Sequence, residues 1–88
     1  MYKRQAYTLI GDLYLYSFED CKTDNVLQTR SIYIAAYEMY KKAGNSAKMN
    51  EAKKNFPSGE DIFNLNKEVG DPINTGCWIK EDVTLQKR

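Results

Sequence analysis

All seven tyrosines of this 88-residue chain fall within its first forty positions: Tyr2, Tyr7, Tyr14, Tyr16, Tyr33, Tyr37 and Tyr40. Aromatic rings are the largest units available to fill a core. Their segregation means that the two halves cannot be equivalent. A chain of this length buries only about 60–65% of its unfolded surface, so it forms one small domain at most, with a thin core.

Composition excludes more than it suggests. There is no histidine. That removes His-based proton relays, Ser-His-Asp and Cys-His nucleophile pairs, and His-ligated metals. Two cysteines, Cys21 and Cys77, are too few for a four-cysteine zinc site within one chain. No catalytic residue, metal site or cofactor site is assigned, and no enzymatic activity of its own is expected. A net charge of +1 gives no electrostatic footprint for nucleic acid or an anionic membrane. Apolar runs are only a few residues long, so no transmembrane segment is expected. Met1-Tyr2-Lys3-Arg4 leads straight into helical periodicity with no signal peptide, which reads as a chain beginning inside a structural element.

Residues 3–20 read as a helix, with Ala6, Tyr7, Ile10, Leu13, Tyr14 and Phe18 at i, i+3, i+4 spacing. Leu9, Leu15 and Tyr16 lie off that face. The clean polar stripe is Gln5, Thr8, Asp12 and Glu19. A helix apolar around most of its circumference either sits at the centre of a fold or has a second neighbour.

The polar stretch 19–25 breaks the pattern. A second helix follows from Asn25 or Val26 through Ile32, Tyr33, Ala36, Tyr40 and Ala43. Asn25 reads as its cap, with Gln28 three residues on, and Gly44 as its left-handed stop. A short third helix spans about 46–55, closed by Pro57. Ser58-Gly59-Glu60-Asp61 signals a fourth, ending near Val69 ahead of Gly70 and Pro72. Gly76-Cys77-Trp78-Ile79, the turn Lys80-Glu81-Asp82 and Val83-Thr84-Leu85 read as a short hairpin or extended tail anchored by Trp78. The expected fold is therefore all-α, with a small extended C-terminal appendage.

Tyr7-x2-Ile10-Gly11-x2-Tyr14 resembles the first-helix pattern W-x2-L-G-x2-Y of a tetratricopeptide repeat (TPR). Ala36-x3-Tyr40-x2-Ala43 resembles the second-helix pattern of the same repeat. Small residues at Gly11, Ala36 and Ala43 would let two antiparallel helices approach, with aromatic rings beside them. The sequence departs from the family in two ways. The stretch between Tyr14 and Ala36 is much longer than the family's, and Lys48 stands where the closing proline falls. Gly76-Cys77-Trp78-Ile79 with Glu81, Thr84 and Arg88 resembles the C-terminal end of exported multi-TPR proteins of Bacteroidetes type. Phe18-x-Asp20-Cys21 and Phe56-Pro57 resemble the same proteins.

The resemblance implies a TPR-like antiparallel helical hairpin over 1–57, plus one or two short helices, and a short helix with an extended cap over 58–88. It implies a periplasmic or cell-envelope location, and a non-enzymatic protein-interaction or scaffold module forming the C-terminal segment of a TPR array. Its partner would be a protein or peptide, or neighbouring repeats of a parent protein, and the isolated chain could form a homo-oligomer. Helix one would offer a face while helices two to four bury its back. Two other readings stay open: a structural cap with no ligand, and a docking appendage of an upstream enzyme.

Gln5, Thr8, Asp12, Leu15 and Tyr16 match the positions lining the partner-binding face of the family. The plainer reading makes the polar three a solvated face and packs Leu15 and Tyr16 on a neighbouring helix. In an exported protein Cys21 and Cys77 would form a disulfide pinning the tail to the helices; otherwise both are reduced thiols. Tyr33, Tyr37 and Tyr40 read as core rather than as a stacking platform. The adjacent acid pairs at 19–20, 60–61 and 81–82 read as caps and turns rather than as catalytic carboxylates. The lysines across 41–54 read as a solvated face.

Overall fold

Local capping chemistry sets the helix boundaries. The computed structural model describes residues 2–88, and Met1 lies outside them. Helix α1 (Tyr2–Tyr16) is followed by α2 (Val26–Ala43), α3 (Ser46–Lys53) and α4 (Gly59–Asn64). Two short antiparallel strands complete the chain, β1 (Pro72–Asn74) and β2 (Asp82–Thr84), with Ile73 opposite Val83. The protein is mostly helical, and its extended tail is a two-stranded sheet.

The Asn25 side chain accepts from the amides of Leu27 and Gln28 at 3.0 and 3.1 Å, which satisfies two orphan donors of α2. The helix ends at Gly44, whose φ of +68° suits a residue without Cβ. Asn45 caps α3 through the Lys48 amide. Ser58 and Asp61 exchange hydrogen bonds in a complete capping box on α4.

Helix α1 runs antiparallel to α2. The Lys42 ammonium lies over the Tyr7 ring, Gly11 meets Tyr40, and Phe18 packs on Tyr33 with ring centroids 4.8 Å apart. Gly11 marks the closest approach: a Cβ there would lie 2.6 Å from Tyr40 Cε1. The central helix is α2, which packs against every other element. Ile34, Ala35 and Ala36 are consecutive and all buried, so more than half of its circumference is covered. Its buried polar residues are satisfied locally. Thr29 bonds Thr23, and Ser31 bonds the Gln28 carbonyl. Among the described residues no buried side-chain nitrogen or oxygen lacks a partner.

Four sequence expectations are corrected. Helix α1 stops at Tyr16 rather than residue 20. Ser17 bonds back to the Leu13 carbonyl and the chain continues in turns to Cys21. Helix α1 is not the centre of the fold, and helices α3 and α4 do not bury its back, because it packs on α2. Helix α4 ends at Asn64, since Asn66 turns left-handed at φ +58°. The Gly76–Ile79 segment is not a strand. Gly76, Cys77 and Lys80 all have positive φ, so it forms the loop between β1 and β2.

The tail is held by Ile79, Val83 and Leu85, all buried, more than by Trp78, which is 54% exposed. Leu85 packs with Leu27 and Ile62 in a second small cluster that joins α2, α4 and the tail. The Gly70 amide donates to the Leu85 carbonyl and the Leu85 amide to the Asp71 carbonyl, at 2.8 Å each. Cys21 and Cys77 form a disulfide across fifty-six positions, with Cα atoms 5.7 Å apart. Cys21 is buried in the main core.

Candidate functional site

The five residues of the sequence-derived face differ in exposure and in what they touch. Gln5 is exposed and Thr8 half-buried, and both line a groove of about 610 Å³ between α1 and the α2–α3 junction. Gly44, Asn45 and Ser46 form its other wall. Leu15 packs against the main core. Tyr16 is 86% exposed.

Asp12 is committed within the chain. Its carboxylate accepts from the Tyr40 hydroxyl at 2.6 Å and from Lys48 Nζ at 2.9 Å, which ties α1 to α2 and α3. The Tyr40 hydrogen bond holds its carboxyl below the usual range; burial opposes this, and Lys48 adds to the lowering. Tyr40 is driven far upward by burial and by the Asp12 carboxylate beside its hydroxyl. The Lys48 ammonium also lies over the Tyr40 ring, at 5.7 Å. Gly11, Asp12, Tyr40 and Lys48 thus form a clasp between α1, α2 and α3, in which both bonds fall on Asp12 Oδ1 and the Asp12 side chain stays 39% exposed.

The feature that periodicity detected without placing is the second apolar face of α1. Leu9 is 61% exposed and Leu13 56%, and with Tyr16 and the exposed Ala6 they form a stripe away from α2. Trp78 extends this surface. Its Nε1 donates to Ser17 Oγ at 3.0 Å, one turn beyond Leu13, and its ring lies 5.6 Å from that of Tyr14. Burial is the main cause that raises the Tyr14 hydroxyl, and the nearby Glu81 carboxylate adds to it. The disulfide at the adjacent Cys77 fixes the backbone that presents Trp78. A smaller exposed apolar group, Phe63, Leu65 and Val69, lies on α4 and the turn after it.

Among the described residues no group of three or more Cys, Asp or Glu side chains converges as a metal site. No described helix is long and apolar enough to cross a membrane. Comparison with protein-family models, with curated proteins and with solved structures found no match.

Proposed function

We propose that this chain is a non-enzymatic protein-interaction module of the TPR-like kind, which presents the outer face of α1 to a helical partner. The observation that carries the reading is the exposed stripe Leu9–Leu13–Tyr16 on a helix whose opposite face is already buried. Contiguous exposed apolar surface at helical spacing marks an interaction site. Further support comes from the antiparallel α1–α2 pair, in which Gly11 and Tyr40 meet as the repeat-like spacing anticipates. The partner-facing set becomes Leu9, Leu13 and Tyr16, with Gln5 and Thr8 at its edge, while Asp12 and Leu15 serve the fold.

A second reading, the closing segment of a helical-repeat array, is favoured by one asymmetry. The tail seals α2 with Ile79, Val83 and Leu85, whereas α1 stays open on its outer side. In that reading the occupant of the stripe is a preceding helix of the same polypeptide.

The test is a photo-crosslinking residue at Leu13, with the same residue at the exposed Lys53 of α3 as control. Specific adducts from Leu13 alone, lost on Tyr16→Ala, are expected. Equal yields from both positions would remove the assignment of this face.

A further inference from the structure

The α1 stripe has a symmetry that bears on what covers it. Ala6, Leu9, Leu13 and Tyr16 alternate three and four positions apart, which is the seam spacing of two helices wound together. A copy of α1 laid antiparallel with Leu9 against Leu13 also sets Ala6 against Tyr16, small against large. The two-fold axis repeats both pairs. That register sets the exposed Lys3 level with the exposed Glu19 of the other copy.

Within one chain both charges oppose the helix dipole, with Lys3 in the first turn and Glu19 past the last. An antiparallel copy supplies each end with the opposite charge. Glu19 already pairs with Lys22 at 3.2 Å, both exposed, so a second cation can join it. The two Asp12 side chains approach near the axis, each neutralised by its own Lys48.

We infer that the occupant of this stripe is a second copy of the chain, joined as a two-fold antiparallel α1–α1 pair. The inference rests on the reading of α1 as the interaction face. One helix face is a small interface, so the dimer forms with a Kd in the micromolar range, on the order of 1–100 µM.

Sedimentation equilibrium of the oxidised chain reads this directly. The expected result is reversible exchange between 10.2 kDa and twice that mass. Leu13→Glu weakens association at least about tenfold, because it places a charge in the seam, with an unchanged far-UV spectrum. Lys3→Glu weakens it as well, and adding Glu19→Lys restores it.

A monomer up to about 1 mM overturns the inference. So does a dimer that Leu13→Glu leaves intact, since another face then makes it. The Leu13 crosslink separates this failure from that of the broader reading. An adduct with a different protein overturns the second copy and leaves the interaction face standing. No specific adduct at all overturns both.

Discussion

Replacing Gly11 with alanine sets two known effects against each other. Alanine in place of glycine inside a helix gains about 1 kcal/mol of propensity. The added methyl would sit 2.6, 2.9 and 3.0 Å from three atoms of the Tyr40 ring. Tyr40 is 1% exposed, so its ring cannot swing into solvent. Overpacking of this kind costs about 1–3 kcal/mol. A tilt that relieves the overlap lengthens the hydroxyl bond to Asp12, a further loss of about 1 kcal/mol, taken low because Asp12 is partly solvated. The net expectation is destabilisation by about 2 kcal/mol, a large share of what a domain of this size possesses.

Urea unfolding followed by circular dichroism reads it. With a slope of about 1 kcal/mol per M, the midpoint should fall by roughly 2 M. Gly11→Ala combined with Tyr40→Leu should cost less than the sum of the two single changes, because the smaller side chain removes the overlap. A Gly11→Ala midpoint at or above that of the parent would refute the reasoning, for it would mean that the two helices separate at no cost.

Opening the disulfide, by a dithiol or by Cys21→Ser with Cys77→Ser, should cost about 4 kcal/mol on the chain-entropy account; equal melting temperatures for the two forms would contradict it. Reduction should also shift Trp78 emission to the red, as the indole leaves Ser17 and Tyr14, and an unchanged spectrum would show that the loop holds its own shape. Asp12 has a depressed folded pKa, so its contribution is complete above the usual carboxylate value of 3.8 and is lost as pH falls through the lower folded value. Asp12→Asn should flatten that acid limb of the stability curve, and parallel limbs in the two proteins would count against the clasp. Ser58→Ala removes half of a capping box and should cost about 1 kcal/mol by chemical denaturation; no change would mean that α4 is fixed by Ile62 alone.

Features set by a few neighbouring residues were legible in the sequence. Asn25, Gly44 and Ser58 sit where expected because a cap needs only its own side chain or a glycine and the next turn of backbone. The close approach at Gly11 was legible because a glycine inside an otherwise apolar helix leaves room for a ring of the facing helix. What was missed depended on contacts that the pattern of apolar residues does not carry. Thr29 and Ser31 look like a polar face of α2, yet short-range hydrogen bonds let both be buried, which is how α2 rather than α1 became the centre. Asp12 reads as an outward polar group until Lys48, thirty-six positions later, closes on it. The Gly76–Ile79 segment looked like a strand because its side chains are apolar, but the left-handed backbone at Cys77 belongs to a residue bonded to Cys21. The second face of α1 was visible in the periodicity, whereas the symmetry of its spacing gained meaning once that face was known to be open.

The disulfide also divides the chain mechanically. Residues 21–77 become a covalent ring, with α1 on one arm and β2 with the last residues on the other. Tension applied at the two ends passes from α1 through the sulfur bridge into the tail and bypasses the ring. Helices α2 to α4 and strand β1 therefore carry no load. A stretched oxidised chain extends to about 110 Å, from residues 1–20 and 78–88, against about 300 Å for the reduced chain. Under force the oxidised protein gives up α1 and its end strand, while the ring from α2 to β1 bears none of the tension.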